Sequence, residues 1–271
     1  MSSKKFGSVW IGRGDTVSNG TSEVDLAGMA SARLGGTAQY PVSKYILMDK
    51  NSSAVPQAVA TVGRFFNSYD GASRQNRIRY DTPTFFGFQA GVGLIDKHNV
   101  DAAVKYKGKI AGTAIAGAIG YCHTKGTQSS GSSTCFGNGT TIDGIDQLNG
   151  SISFKLPMGL GATFSGGTQW QNRTPAGAST KENPYNLNPT IFYTTKVTEL
   201  GSTTFDYSFE YTENATNKGD KGYAHQVDVL QRVDSIGGDY FLQFNYIDAE
   251  TATNNNIEPL WYFGGGFRQR F

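Results

Sequence analysis

Apolar and polar side chains alternate one for one along most of the chain, the period of a β-strand whose two faces meet different surroundings. Thr203, Phe205, Tyr207, Phe209 and Tyr211 interleave with Thr204, Asp206, Ser208, Glu210 and Thr212. Leu148, Gly150, Ile152, Phe154 and Leu156 do the same with Asn149, Ser151, Ser153 and Lys155, and Val100, Ala102, Val104 and Tyr106 with Asp101, Ala103, Lys105 and Lys107. Extended along the chain, the pattern predicts about twelve strands, near 3–12, 75–84, 87–97, 99–110, 112–122, 147–157, 159–171, 189–198, 202–213, 222–233, 238–248 and 259–271. Short connections at 83–87, 109–112, 157–159, 198–202 and 234–238 take turns with longer polar ones at 123–146, 172–188, 213–221 and 248–258; the tight link at 96–99 is an exception. Alternating short and long connections predict an all-β fold, a transmembrane antiparallel up-and-down β-barrel spanning 1–271 as one domain. Residues 14–74 break the pattern and read as one long functional loop, with a short helix expected near 25–34.

Composition sharpens this picture. The 35 glycines and 13% aromatic residues suit many strands and turns, and two cysteines are too few for a disulfide scaffold. No run of about 18 apolar residues is present, which excludes a transmembrane helix. A mean hydropathy of -0.38 remains compatible with a barrel, because only one face of each strand needs to be apolar. The net charge of +2 is dispersed, so no nucleic-acid partner is expected. His98, His123 and His225 are too scattered for a metal site, no nucleophile, acid and base set can be named, and neither a cofactor nor an enzymatic activity is expected. The start Met-Ser-Ser-Lys-Lys-Phe lacks an apolar stretch, so no export signal lies within this numbering.

The stretch Asn76-Arg77-Ile78-Arg79-Tyr80-Asp81-Thr82-Pro83-Thr84-Phe85-Phe86-Gly87-Phe88 resembles the strand and turn that follow the constriction loop of general trimeric porins of Gram-negative bacteria. Phe6-Gly7-Ser8-Val9-Trp10-Ile11-Gly12-Arg13 is similar to the strand leading into that loop, and Gly266-Phe267-Arg268-Gln269-Arg270-Phe271 to the family's last strand. The resemblance implies an outer-membrane, water-filled channel for passive diffusion of small hydrophilic solutes and ions. It also implies a homotrimer set in outer-membrane lipid and lipopolysaccharide, and a terminal Phe271 read by the barrel-assembly machinery. The chain departs from the family in two ways. Its long loop follows the first strand rather than the fifth, as though four N-terminal strands were missing from a barrel of sixteen, and it lacks the family's acidic loop element.

On this reading 14–74 folds into the lumen as a constriction loop. Arg13, Arg77 and Arg79 would form a basic wall and Asp15, Glu23 and Asp25 an acidic loop edge, the latter chosen for position alone and equally readable as solvated loop charges. Strand phase places Asp81, Lys105, Lys107, Lys155, Lys196, Arg268 and Arg270 toward the lumen. Basic residues at 77, 79, 105, 107, 155, 196, 232, 268 and 270 outnumber Asp81, Asp101, Asp206, Glu210 and Asp228, which predicts a mild anion preference. Cys122 and Cys135 either bridge across an outer loop or stay free. The competing readings are a structural or adhesive outer-membrane barrel whose loops bind host or phage, a substrate-specific channel, and a soluble carbohydrate-binding sandwich.

Overall fold

The computed structural model describes residues 2–29, 42–50, 57–95, 99–124, 135, 144–171 and 183–269. In chain order its strands are β1 (Ser2–Ser3), β2 (Gly7–Asp15), β3 (Ile46–Met48), β4 (Ala58–Thr61), β5 (Arg74–Asp81), β6 (Phe88–Ile95), β7 (Asn99–Ile110), β8 (Thr113–Thr124), β9 (Ile145–Lys155), β10 (Leu160–Gln171), β11 (Tyr185–Thr198), β12 (Gly201–Glu213), β13 (Lys221–Val233), β14 (Gly238–Glu250) and β15 (Leu260–Gln269). Thirteen of them form one sheet in the order β1-β2-β5-β6 and then consecutively to β15, while β3 and β4 pair only with each other. Every neighbouring pair is antiparallel.

Local chemistry explains where strands start and stop. The β7–β8 link is a two-residue turn, because Ile110 pairs with Thr113. Ala111 and Gly112 both take positive φ, 48° and 82°, the backbone a two-residue hairpin needs if the strands are to keep their right-handed twist. In β11 the pattern extends to Tyr185, four residues earlier than expected. The interruption is Pro189, which keeps its place in the register opposite Phe164 although it has no N–H for the ladder.

The burial of the two faces is inverted relative to a soluble protein. On β9 and β10, Leu148, Ile152, Leu160 and Phe164 are exposed, whereas Gln147, Asn149, Ser151, Ser153 and Thr163 on the opposite face are buried. The same holds for exposed Phe205, Tyr207, Leu242 and Phe244 against buried Asp206, Ser208 and Asn245. Water would penalise the bare apolar face, and a dry core would penalise the polar one by several kcal/mol per unpaired group. Lipid outside and a polar interior satisfy both.

The interval between β2 and β5 is not a plain loop. It contains the β3–β4 hairpin and two short 3-10 turns, Val42–Lys44 and Val62–Arg64. The helix expected near 25–34 does not form in Asp25–Met29. There the Asp25 carboxylate accepts from the Ala27 and Met29 amides at 3.0 and 2.9 Å, an Asx-type turn that competes with helix. Residues 30–34 lie outside the described residues, as do the 96–98 connection and most of 125–143.

Val42, Leu47, Val62, Phe65 and Phe66 from this interval form an apolar cluster with Ala224, Ile247, Ala249 and Ile257, with Leu260 and Tyr262 packed against it. The interval is thus bound to the interior of β13–β15. Cys122 and Cys135 are joined by a disulfide across 13 residues of sequence, and both pack against Ala72 and Ile95. Closing a loop of this size restricts the unfolded chain by roughly 3 kcal/mol. Cys122→Ser with Cys135→Ser should therefore lower unfolding stability in lipid vesicles by about that amount. A loss within 0.5 kcal/mol would show that the denatured chain is confined there without the bridge.

Candidate functional site: the lumen wall and the segment crossing it

Residues 16–29 run along the polar face of the sheet, held chiefly by hydrogen bonds. At the start, Arg77 donates to the Asp15 carbonyl at 2.8 Å and Arg79 to the Thr16 carbonyl at 2.9 Å. The Ser18 amide and hydroxyl both donate to Asp101 on β7, at 2.7 and 2.9 Å. Asp70, from the returning stretch, accepts from the amides of Gly20 and Ser22 and from the Ser22 hydroxyl. Further along, Asn149 donates to the Thr21 hydroxyl and Ser151 to the Thr21 carbonyl, both at 2.6 Å. The amides of Val24 and Leu26 donate to Ser151 and Ser153, and Thr163 donates to Asp25. The far end reaches β15, where Arg268 donates to the Gly28 carbonyl at 3.1 Å, and Met29 packs on Leu230 and Phe241.

Small inward residues make room for this path. A Cβ at Gly93 would stand 2.1 Å from Asp101 Oδ1, one at Gly120 would stand 2.5 Å from Thr21 Oγ1, and one at Gly222 would meet the Phe66 ring at 2.9 Å. Tyr69, which caps the return, is buried with its carbonyl accepting from Gln147 at 2.6 Å, and burial pushes its hydroxyl above the usual phenol range.

The residues singled out from sequence fall into three groups. Arg77, Arg79 and Asp81 share the polar face of β5 with Lys105 and Lys107 on β7, Lys155 on β9, Lys196 on β11 and Arg268 on β15. Arg79 is ion-paired with Asp81 at 2.9 Å, and Trp10 donates to the same carboxylate. Arg13 stands elsewhere. Its register partner is Asn76, two residues along from the Ile11–Ile78 pair, so it occupies the apolar face and not the wall with Arg77 and Arg79 that the family resemblance implied.

Asp15 is on that same face, opposite Arg74, and forms an exposed ion pair with it at 2.8 Å. Its carboxylate is therefore turned away from the row of arginines, although its carbonyl is not. Asp25 ties the segment to β10 instead of presenting a bare charge, and Glu23 is partly buried beside it. Arg270 and Phe271 lie outside the described residues.

Sequence phase did not reveal how these charges are engaged. Arg77 is bound to the carbonyls of Asp15 and Gly12, Arg79 to Asp81 and Thr16, and both Arg232 and Arg268 to Asp239. Asp70 and Asp101 are engaged by the crossing segment, and Asp25 within it by its own turn amides and by Thr163. Among the described residues, Lys105, Lys107 and Lys155 have no hydrogen-bonded or ion-paired acceptor. The anchor Asp70 carried no signal in the pattern, since it is one polar residue in an irregular stretch. No group of three or more His, Cys, Asp or Glu among the described residues is arranged to hold a metal ion.

These faces and this crossing segment define a transmembrane β-barrel of the outer-membrane type, and solved structures share the fold. The chain is similar to the anion-selective porin from Comamonas acidovorans, with a TM-score of 0.51 at 12% identity over 97% of this chain and 71% of that one. It is similar also to a loop L8 deletion mutant of OmpT, an outer membrane protein of Vibrio cholerae, with a TM-score of 0.50 at 13% identity over 97% and 76%. No family model and no curated protein matches the sequence.

Proposed function

We propose that the protein is an outer-membrane porin of a Gram-negative bacterium, a water-filled channel through which small hydrophilic solutes and ions diffuse passively with a mild anion preference. The observation carrying this reading is the interior wall. Charged and hydroxyl side chains line it on every strand from β9 to β13, while the opposite face of the same strands is apolar. A fixed peptide segment, residues 16–29, crosses that wall and narrows the path in the manner of a constriction loop. Transport of this kind needs positions and charges, not a nucleophile or a cofactor. The anion-selective porin among the structural neighbours supports this reading, as does the resemblance of 76–88 to porin sequences. A homotrimer is part of the proposal, with the apolar outer face in contact with lipid, lipopolysaccharide and neighbouring copies.

The sign of selectivity follows from which charges are available. Arg79, Arg232 and Arg268 are paired with carboxylates, whereas Lys105 and Lys107 have no paired acceptor among the described residues, so these two lysines contribute strongly to the field that a solute meets. Lys105→Glu with Lys107→Glu should therefore turn the channel cation-preferring, read as a reversed sign of the zero-current potential in a salt gradient across a planar bilayer. Arg77→Gln should shift it less. The wild-type measurement comes first: stepwise, long-lived openings are expected. A folded, detergent-purified sample that never conducts would reject the porin and leave a structural or adhesive barrel.

A further inference from the structure

The end of the barrel carrying the short turns holds a recess of about 510 Å3, lined by Lys155, Pro157, Thr194, Thr195, Lys196 and Ser202 among others. Lys155 is the last residue of β9, and its register neighbours are Ala114 and Gly161, both too small to cover it. The floor is the turn 156–159. Gly159 has φ 94°, and a Cβ there would stand 2.0 Å from the Thr194 carbonyl, so only glycine lets the turn close against β11. That contact is fixed by the Thr194 amide, which donates to the Gly159 carbonyl at 2.9 Å.

Strict alternation would send Thr194 and Thr195 to opposite faces. Both border the recess, but their partners Thr204 and Thr203 are in regular register and the β11–β12 shift begins only beyond Thr195, so the Thr194 side chain is on the polar face and the Thr195 side chain on the other. Thr194 is shared with the Thr204 hydroxyl at 3.1 Å. The Ser202 hydroxyl, on the polar face of β12, has no protein partner among the described residues.

We propose that this recess is a binding site for a small oxyanion, a phosphate or a carboxylate, with Lys155 as the residue that determines its specificity. Lys196 is shared with Glu199 at 3.0 Å in an exposed pair, the kind of pair that water and salt loosen readily. Arg232 lies close enough to add positive potential but is bound to Asp239. Asp234 sits exposed on the lip beside Gly201; it opposes an anion there and leaves the inner part of the recess, under Lys155, as the favourable position. An ammonium with no ion-paired acceptor among the described residues, beside the uncommitted Ser202 hydroxyl in a concave site, fits the charge-assisted hydrogen bonding of an oxyanion.

As an element of solute passage this assignment rests on the porin reading, but binding itself does not. Inorganic phosphate and acetate would be titrated separately into the detergent-folded full chain and followed by calorimetry. Saturable binding of either is expected, weakened about tenfold or more in Lys155→Gln and less in Lys196→Gln. Lys221→Gln, at the long-loop end of β13 and away from the recess, should bind like wild type. Undetectable binding, or equal binding in wild type and Lys155→Gln, would overturn the site. Binding without bilayer conductance would leave the site standing and reject the pore.

Discussion

Asp70→Ala combined with Asp101→Ala is expected to leave the β-sheet content unchanged while the single-channel current becomes larger and noisier. Five hydrogen bonds hold the first part of the crossing segment to these two carboxylates, two on Asp101 from Ser18 and three on Asp70 from Gly20 and Ser22. Hydrogen bonds to charged groups contribute about 1.5–3 kcal/mol each. Losing all five removes more than the remaining side-chain contacts of residues 18–22 to Asn149 and Ser151 supply. The segment then samples positions off the wall, and the passage it narrows widens intermittently. The strands keep their own ladders, since neither carboxylate is part of the main-chain pairing.

The substitution also removes two negative charges, and that alone would raise anion preference without adding noise. Asp70→Asn with Asp101→Asn separates the two effects, because an amide oxygen still accepts a hydrogen bond but carries no charge. The Asn pair should shift selectivity and keep a quiet current. Noise and amplitude unchanged in the Ala pair would mean that the segment does not limit the passage.

Much of this architecture is legible in the residues, and what is not has a physical cause. Alternation of period two reads the two faces of a strand directly, so β7 is found at its observed bounds and most others within a few residues. A family likeness does not carry that reading of the face. Arg13 follows Gly12, whose φ is 109°, and the family likeness placed the guanidinium where the strand phase, continued from Val9 and Ile11, does not. A resemblance transfers a motif, but the face is fixed by pairing with Asn76.

The interval 16–73 was opaque because its stability is tertiary. Asp70 and Ser18 owe their importance to Asp101 and to each other, and neither is marked by spacing. The inward glycines Gly93, Gly120 and Gly222 looked like ordinary strand glycines until the segment they accommodate was placed over them. Charge counting gave a sign for selectivity, yet it weighted arginines and lysines equally. In the folded chain Arg77, Arg79, Arg232 and Arg268 are structural ties, whereas Lys105, Lys107 and Lys155 have no paired acceptor among the described residues.

The face that meets lipid gives the second large effect. Phe164 is 56% exposed near the middle of β10, and its register neighbours are Ile152 and Pro189. If water covered that face, as in a soluble sandwich, Phe164→Arg would be a surface change worth no more than about 0.5 kcal/mol in either direction. In a bilayer the same guanidinium must leave water, at about 2–4 kcal/mol near the midplane. Ser165→Arg moves the identical group by one residue to the polar face, where the lumen can hydrate it. Urea titrations of folding into lipid vesicles should therefore show Phe164→Arg destabilised by several-fold more than Ser165→Arg. The two variants carry the same net charge and the same introduced group, and Phe164→Ala, which removes the ring without adding a charge, separates the loss of apolar contact from the cost of the guanidinium. Equal, small losses would place water on both faces, and with it the whole assignment of inside and outside would fall.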